Sequence, residues 1–274
     1  MPGSPSKDLD RDDSRMINIA ILSAKGGTGK TTLSIALAHQ YALANPQREI
    51  VLVDADNQGN VAISLNVQTQ NTLGAYLFKA TDTLDLLRYR PEIPFFVVES
   101  GRLHLYEAEK EIYRSENPVR YFKDHLLQEF HPNSLVIWDL PPTLSIINDN
   151  VLYLADYIII PTHTDYLSLT GIGNLLSYLD HFRQQHPVKC RLLGIAITLH
   201  REGVSQNRLN KETLMRNFPE LMFQTSIPLS TSIATAAQNH TTPLEVPDPR
   251  ARDSYTTLVR EIHQRMINLQ KSHG

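Results

Sequence analysis

Nine consecutive residues, Ala24-Lys25-Gly26-Gly27-Thr28-Gly29-Lys30-Thr31-Thr32, hold three glycines, two lysines and three threonines. Glycine turns free backbone N–H groups to converge on an anion, and a helix starting within them adds its positive end. In such a loop Lys30 would reach the β- and γ-phosphates of a nucleoside triphosphate, and the Thr31 hydroxyl would ligate Mg²⁺. That chemistry requires a buried strand before the glycines and a helix after them. Ile17 to Leu22 is a nearly unbroken apolar run. Leu33, Leu37 and Tyr41 fall on one face of a helical pattern that Asn45-Pro46 closes. Strand, glycine-rich turn and helix N-terminus make up the P-loop context, so the chain is expected to bind a nucleoside triphosphate.

Two further apolar runs end in carboxylates. Glu49 to Asp54 leads into Asp54-Ala55-Asp56-Asn57-Gln58-Gly59-Asn60, and Leu135 to Trp138 leads into Asp139-Leu140-Pro141-Pro142. In an open α/β sheet ligands bind at the C-terminal ends of the strands, which places Asp54, Asp56 and Asp139 near the nucleotide. A carboxylate at 139 would hold Mg²⁺ through a water, since this ion keeps much of its hydration shell. Taken alone, acidic residues after strands also cap helices or close turns. The P-loop is what gives these their context.

The elements that position these groups are legible along the whole chain. Apolar runs at Phe95 to Val98, Asp156 to Pro161, Leu192 to Thr198 and Thr225 to Pro228 read as further strands, with a helix start at Leu167 to Gly171. Strand runs alternating with helical patterns predict βαβ units and a parallel sheet. Leu73, Leu77, Leu84, Leu86 and Leu87 suggest helical packing. The expected fold is therefore α/β, a doubly wound and mostly parallel sheet with helices on both faces. One domain over 16–274 is expected to follow a disordered tail over 1–15, where Pro, Gly, Ser and opposed charges show no periodicity. Near the C-terminus, Leu258, Ile262, Met266 and Leu269 share one stripe at helical spacing, opposite a polar face of mixed charge without Phe or Trp. That pattern predicts a helix packed on the sheet and not a membrane anchor.

The AKGGTGKTT stretch resembles the deviant Walker A motif of the ParA/MinD family, ParA-type branch, with alanine where the common loop has glycine and an extra lysine after it. The resemblance extends to switch I at Asp54–Asn60, with Asn57 where proline is usual, and to switch II at Asp139–Pro142. It runs in order from Met16 to Met266. It implies that Lys25 crosses an ATP-bridged homodimer to the partner's phosphates. Lys30, Lys25 and Asp56 would be the catalytic groups, with Asp56 orienting the attacking water. Lys25 and Gly26 to Thr32 would surround the phosphates, with Thr198 and Pro228 beside the base. Thr31, Asp139 and Asp54 would serve the metal, Asp54 supporting either its shell or the loop. ATP and Mg²⁺ are the implied ligands. Tyr106-Glu107-Ala108-Glu109 resembles the family's short segment before the helix leading to Walker B.

Composition sorts the remaining possibilities. Cys190 is the only cysteine, so no intrachain disulfide framework exists, and the nitrogenase iron-protein branch, which needs two cysteines per subunit, is disfavoured. No apolar stretch of membrane-spanning length occurs. His163-Thr164-Asp165 reads as a loop beside a sheet edge and not as a metal site, and Gly171-Ile172-Gly173 lacks the spacing of a dinucleotide motif. Residues 1–180 carry 14 basic and 22 acidic side chains, whereas residues 181–274 carry 12 basic and 7 acidic. A basic C-terminal third on an acidic chain suits a single face that meets polyanions. Arg183, Lys189, Arg191, Arg201, Arg208, Lys211, Arg216, Arg250 and Arg252 are the candidates, and Arg201, Arg208, Lys211, Arg216, Arg250 and Arg252 are taken as DNA contacts. Chromosomal ParA proteins usually carry arginine where Leu229 stands, so the chain departs from the family on that route to DNA.

The resemblance thus implies a cytoplasmic, nucleoid-associated ATPase that binds DNA non-specifically as an ATP dimer. A ParB-like or other stimulating partner would trigger hydrolysis, and DNA or a protein assembly would be the cargo. The alternatives are a MinD-like membrane-associated ATPase, a metabolic enzyme of the same superfamily, and a non-hydrolysing scaffold.

Overall fold

The computed structural model describes residues 15–271, apart from Tyr166 and Glu202. Residues 1–14 of the expected tail lie outside the described residues. Arg15, its last residue, pairs with Asp156 at 2.7 Å.

The strands are β1 (Ile17–Ile21), β2 (Ile50–Asp54), β3 (Leu87–Arg90), β4 (Ile93–Val98), β5 (Leu135–Asp139), β6 (Tyr157–Thr162), β7 (Arg191–His200) and β8 (Met222–Pro228). They form one sheet in the order β3-β4-β2-β5-β1-β6-β7-β8, parallel throughout except for the β3–β4 edge pair. The helices are α1 (Lys30–Ala44), α2 (Asn60–Leu65), α3 (Leu73–Leu77), α4 (Leu103–Arg114), α5 (Tyr121–His125), α6 (Ile146–Leu154), α7 (Ser168–Gln185), α8 (Ser205–Asn217), α9 (Thr231–Ala236) and α10 (Pro249–Lys271).

Alternation along the central strands divides the core into two layers. Ile19, Ile21, Leu52 and Ile137 face α1 and α10 through Leu33, Leu37, Tyr41, Tyr255, Leu258 and Ile262. Ala20, Val51, Val53, Val136 and Trp138 face α4, α6 and α7 through Leu105, Ile112, Ile147, Val151, Ile172, Leu175 and Leu179. Both faces of the central strands are covered, which explains why their sequences read as continuous apolar runs. The chain leaves β1 toward β2 on one side and later crosses to β6 on the other. The resulting crevice opens above the C-terminal end of β1.

One expectation about the elements is corrected. Leu73 and Leu77 lie on α3, but Leu87 begins β3, and Leu84 and Leu86 precede it outside any helix. A four-residue edge strand in which only Tyr89 is buried is too short to show its period. The C-terminal stripe does lie on a long helix against the sheet, with Leu258, Ile262 and Met266 buried and Leu269 packed on the same layer.

Candidate nucleotide site

The P-loop occupies the crevice above β1. Gly27 and Gly29 have φ of 75° and 74°, left-handed values that a Cβ resists. Side chains brace the loop from within and from neighbouring strands. Thr28 Oγ1 donates to Ser23 Oγ and Ser23 Oγ to the Lys25 carbonyl, both at 2.9 Å. Thr198 Oγ1, on β7, donates to the Thr28 carbonyl at 2.7 Å. His163 Nε2, after β6, donates to the Gly27 carbonyl at 2.8 Å. Gly171 of α7 lies beside the loop: a Cβ placed on it would stand 3.5 Å from the Ala24 Cβ, an ordinary contact.

Lys30 opens α1 and is only 7% exposed. One residue on, Thr31 Oγ1 donates to Asp139 Oδ2 at 2.7 Å, and Ser34 Oγ, a turn later, lies 3.0 Å from Oδ1. Asp139 is fully buried. Burial raises its pKa to about 6, against the opposing pull of the Thr31 hydrogen bond, the Lys30 charge and Ser34. A buried carboxylate flanked by hydroxyls and at the end of a parallel strand is a donor set that a hydrated Mg²⁺ would complete. The residues present fit that ion.

Asp54 pairs with Asp139 in strand register. Burial, then the Asp139 charge, raises its pKa well above the usual range, while loop N–H groups pull the other way. Its Oδ1 accepts from Asp56 N at 3.2 Å and its Oδ2 from Val61 N at 2.9 Å. Each oxygen therefore accepts one backbone N–H, and through these bonds Asp54 braces the switch I loop. Asp56, itself 6% exposed, accepts from Gln58 N at 3.0 Å and lines the cleft.

The cleft has a volume of about 590 Å³, suited to a small-molecule ligand. Gly26 to Thr32 form its floor. Asp56, Gln58, Asn60 and Pro142 form one wall, and Leu199, Leu229, Ser230 and Ile233 the other. Thr198 and Pro228, expected beside the base, each fall one residue short of that wall. Thr198 is fully buried with its hydroxyl on the loop, and the residue after each supplies the lining.

Lys25 stands at the rim, with 56% of its side chain exposed. Its Nζ lies 2.6 Å from Asp165 Oδ2. Burial pushes the Asp165 carboxyl up, but hydrogen bonds from Lys25 and Ser168 and the Lys25 charge prevail, and its pKa lies below the usual value. His163-Thr164-Asp165 thus serves the loop and Lys25. Among the described residues no cluster of three His, Cys, Asp or Glu side chains could hold a metal.

Comparison with known proteins identifies the fold. Residues 16–192 match the AAA domain family. The chain is 29% identical over 249 residues to the chromosome-partitioning ATPase Soj of Thermus thermophilus, covering 90% of this chain and 96% of that protein. It is 28% identical over 257 residues to the chromosome partitioning protein ParA of Myxococcus xanthus, covering 90% and 88%. The chain belongs to the ParA/MinD family. The Cyanothece McdA(D38A)–ATP complex superposes on it with a TM-score of 0.77 at 20% identity, over 91% of this chain and 96% of that one. The order of P-loop, switch I and switch II along this ParA/MinD sheet is the one the sequence implied.

The basic candidates are not all together. Arg191 begins β7, and Arg183 donates to the Cys190 carbonyl, which puts Arg183, Lys189 and Arg191 at the N-terminal edge of the strands, opposite the cleft. Arg201 follows the C-terminal end of β7 and shares a hollow with Lys25 and Asp165. Arg208 and Lys211 lie on α8, of which only Leu214 is buried, and Arg208 pairs with Glu212 at 3.4 Å. Arg216 lies at the far end of that helix, away from the cleft. Arg250 and Arg252 open α10, which Ser230 ties to the cleft wall through Asp248 at 2.7 Å. Among the described residues no helix is long and apolar enough to cross a membrane.

Proposed function

We propose that this ParA/MinD chain is a ParA-type ATPase. ATP with Mg²⁺ joins two copies into a dimer, the dimer binds DNA non-specifically on the nucleoid, and a ParB-like or other partner stimulates hydrolysis and release. The observation that carries the reading is the Thr31–Asp139 hydrogen bond at 2.7 Å, with Asp56 in the same cleft and Lys25 at its open rim.

Phosphoryl transfer needs mainly positioning and charge neutralisation. The loop N–H groups and Lys30 hold the β- and γ-phosphates. Thr31 and Asp139 hold Mg²⁺, which supplies charge neutralisation at those phosphates. Asp56 orients the attacking water. Lys25 is engaged by Asp165 within its own chain, yet that contact is exposed and worth little. It can therefore be exchanged for the phosphates of a second copy. Arg201, Arg208, Lys211, Arg250 and Arg252 supply positive charge on the cleft-side edge for the DNA backbone.

A MinD-like membrane role is less well supported, because the apolar stripe of α10 is spent on the sheet. The cargo is a plasmid, a chromosome or a protein assembly. The deciding experiment is DNA binding with ATP, with ADP and without nucleotide, repeated across salt. Binding that requires ATP and weakens steeply with salt supports the reading; binding indifferent to nucleotide removes it.

A further inference from the structure

Arg102, the residue before α4, has φ 39° and ψ −92°, a backbone conformation that residues with a Cβ avoid. Close packing holds it there. Gly101 before it has φ 73°, and a Cβ on Gly101 would stand 2.0 Å from Thr72 Oγ1. A Cβ on Gly74 of α3 would stand 2.2 Å from the backbone N of Leu105. The α3–α4 junction is thus packed almost backbone to backbone, and Arg102 cannot relax without parting the two helices.

The result of this conformation is the aim of one side chain. Arg102 crosses Gly59 so closely that a Cβ there would stand 2.8 Å from Nε and 3.3 Å from Cγ. Gly59, with φ 69°, lies in switch I, and its N–H donates to the Asp56 carbonyl at 3.0 Å. A larger hollow of about 890 Å³ lies behind α2, with Ile63, Asn66 and Arg102 on its walls. Asn60 and Ser64 face the nucleotide cleft from the opposite side of that helix. Arg102 therefore backs switch I from outside the site.

The same helix reaches switch II. Glu109 on α4 accepts from Ser145 Oγ at 2.8 Å. Ser145 caps α6 together with Asn148, and Asn148 Nδ2 donates to the Pro141 carbonyl at 3.3 Å, two residues past Asp139. Contacts run without a break from the loop of Asp56 through α4 to the turn after Asp139.

We propose that Arg102 is a positioning residue for switch I, and that α4 couples switch I to switch II. Arg102 acts by limiting where Gly59, and with it Asp56, can sit. Small displacements of a positioned group cost on the order of 100-fold in rate, so a backstop outside the cleft can govern turnover. The kinetic side of this rests on the ATPase reading; the structural side does not.

Amide exchange at Gln58, Gly59 and Val61 in the nucleotide-free full chain reads the loop directly. Arg102→Gly removes the side chain while easing the backbone, so the fold is retained. Exchange at the three amides should rise about five-fold or more. Glu109→Ala, which removes only the acceptor for Ser145 on the switch II side, should raise it as well. In the ATPase assay Arg102→Gly should lower kcat about ten-fold with KM for ATP within about two-fold. Unchanged exchange in Arg102→Gly overturns the positioning role. A rise there with none in Glu109→Ala overturns the coupling through α4, and an equal rise across α2, α3 and α4 marks general loosening and overturns both. A parent protein that hydrolyses no ATP would sink the ATPase reading, while the exchange result would still decide this one.

Discussion

Thr31 and Asp139, 108 positions apart in the chain, meet at 2.7 Å on the floor of the cleft. The contact joins the first turn of α1 to the end of β5, so the nucleotide loop and switch II share one hydrogen bond. It also fixes how the site responds to protons. The folded pKa of Asp139 is about 6, above the ordinary 3.8. The fold favours the protonated carboxyl; its stabilising contribution is complete below 3.8 and is lost as pH rises through about 6. Without ion or nucleotide, the parent should gain on the order of 1–3 kcal/mol over Asp139→Asn between about pH 8 and pH 5. Mg²⁺-dependent ATP affinity should run the other way, falling below about pH 6 as the carboxylate is protonated. Melting curves and ATP titrations across this range test both signs; a flat melting difference would mean that the Asp139 pKa is not raised, and an ATP affinity that keeps its Mg²⁺ dependence in Asp139→Asn would remove Asp139 from the metal role.

The two lysines of the loop should separate by phenotype. Lys30 is buried against the phosphate floor, so Lys30→Ala should abolish ATP binding in calorimetry. Lys25 is exposed and engaged by Asp165. Lys25→Ala should keep ATP affinity within about three-fold, since an exposed pair contributes at most ~1 kcal/mol. It should lose ATP-dependent dimerisation in light scattering. A Lys25→Ala protein that dimerises as the parent does would leave Lys25 a surface residue.

Asp56→Ala should hold the dimer in its ATP state. Thr31 and Asp139 would still hold the ion, while the attacking water would lose its orienting carboxylate. Persistent DNA binding with phosphate release slowed about 100-fold or more is the expected result. Unchanged turnover would move the catalytic role elsewhere, with Asp54, which pairs with Asp139 in strand register, the next candidate.

The buried parallel strands and the three nucleotide motifs were legible because each depends on local pattern. Ile17 to Leu22 and Leu135 to Trp138 are buried on both faces and read as unbroken apolar runs. What escaped depends on contacts between distant segments. Ser34, the second hydroxyl beside Asp139, sits one turn past Thr31 and gains meaning only when β5 is laid beside α1. His163 and Thr198 brace the P-loop from β6 and β7, which no spacing in the chain announces. Arg102 was unreadable for the same reason, since its aim comes from the packing of Gly74 and Gly101.

DNA affinity should depend on the cleft-side cations and not on the remote ones. Arg201 follows the C-terminal end of β7, and Arg250 and Arg252 open α10 beside Asp248, which Ser230 holds at the cleft wall, whereas Arg183 and Arg191 lie at the opposite edge. Charge removal at Arg201 or Arg252 should lower the logarithmic salt slope by about one for each cation that meets a phosphate. Arg183→Ala should leave slope and affinity as in the parent. The opposite ranking in salt titrations would place the DNA face on the other edge.

The C-terminal helix should behave as core, and two of its fully buried positions give opposite tests. Leu258 is fully buried between α10 and the sheet. Leu258→Ala should cost about 2–5 kcal/mol, because the cavity it leaves in a packed layer collapses only partly. Three residues earlier, Tyr255 is also fully buried, and its hydroxyl has no hydrogen-bond partner among the described residues. Burial alone raises its pKa, so the hydroxyl stays protonated and contributes only a desolvation cost. Tyr255→Phe keeps the ring in the same layer and removes that polar atom. It should leave stability unchanged or raise it by about 1 kcal/mol in urea unfolding. Loss of about 2 kcal/mol or more in Tyr255→Phe would mean that the hydroxyl has a partner in solution. A negligible effect of Leu258→Ala would mean that α10 is not anchored on the sheet, and a MinD-like use of its apolar stripe would then regain support.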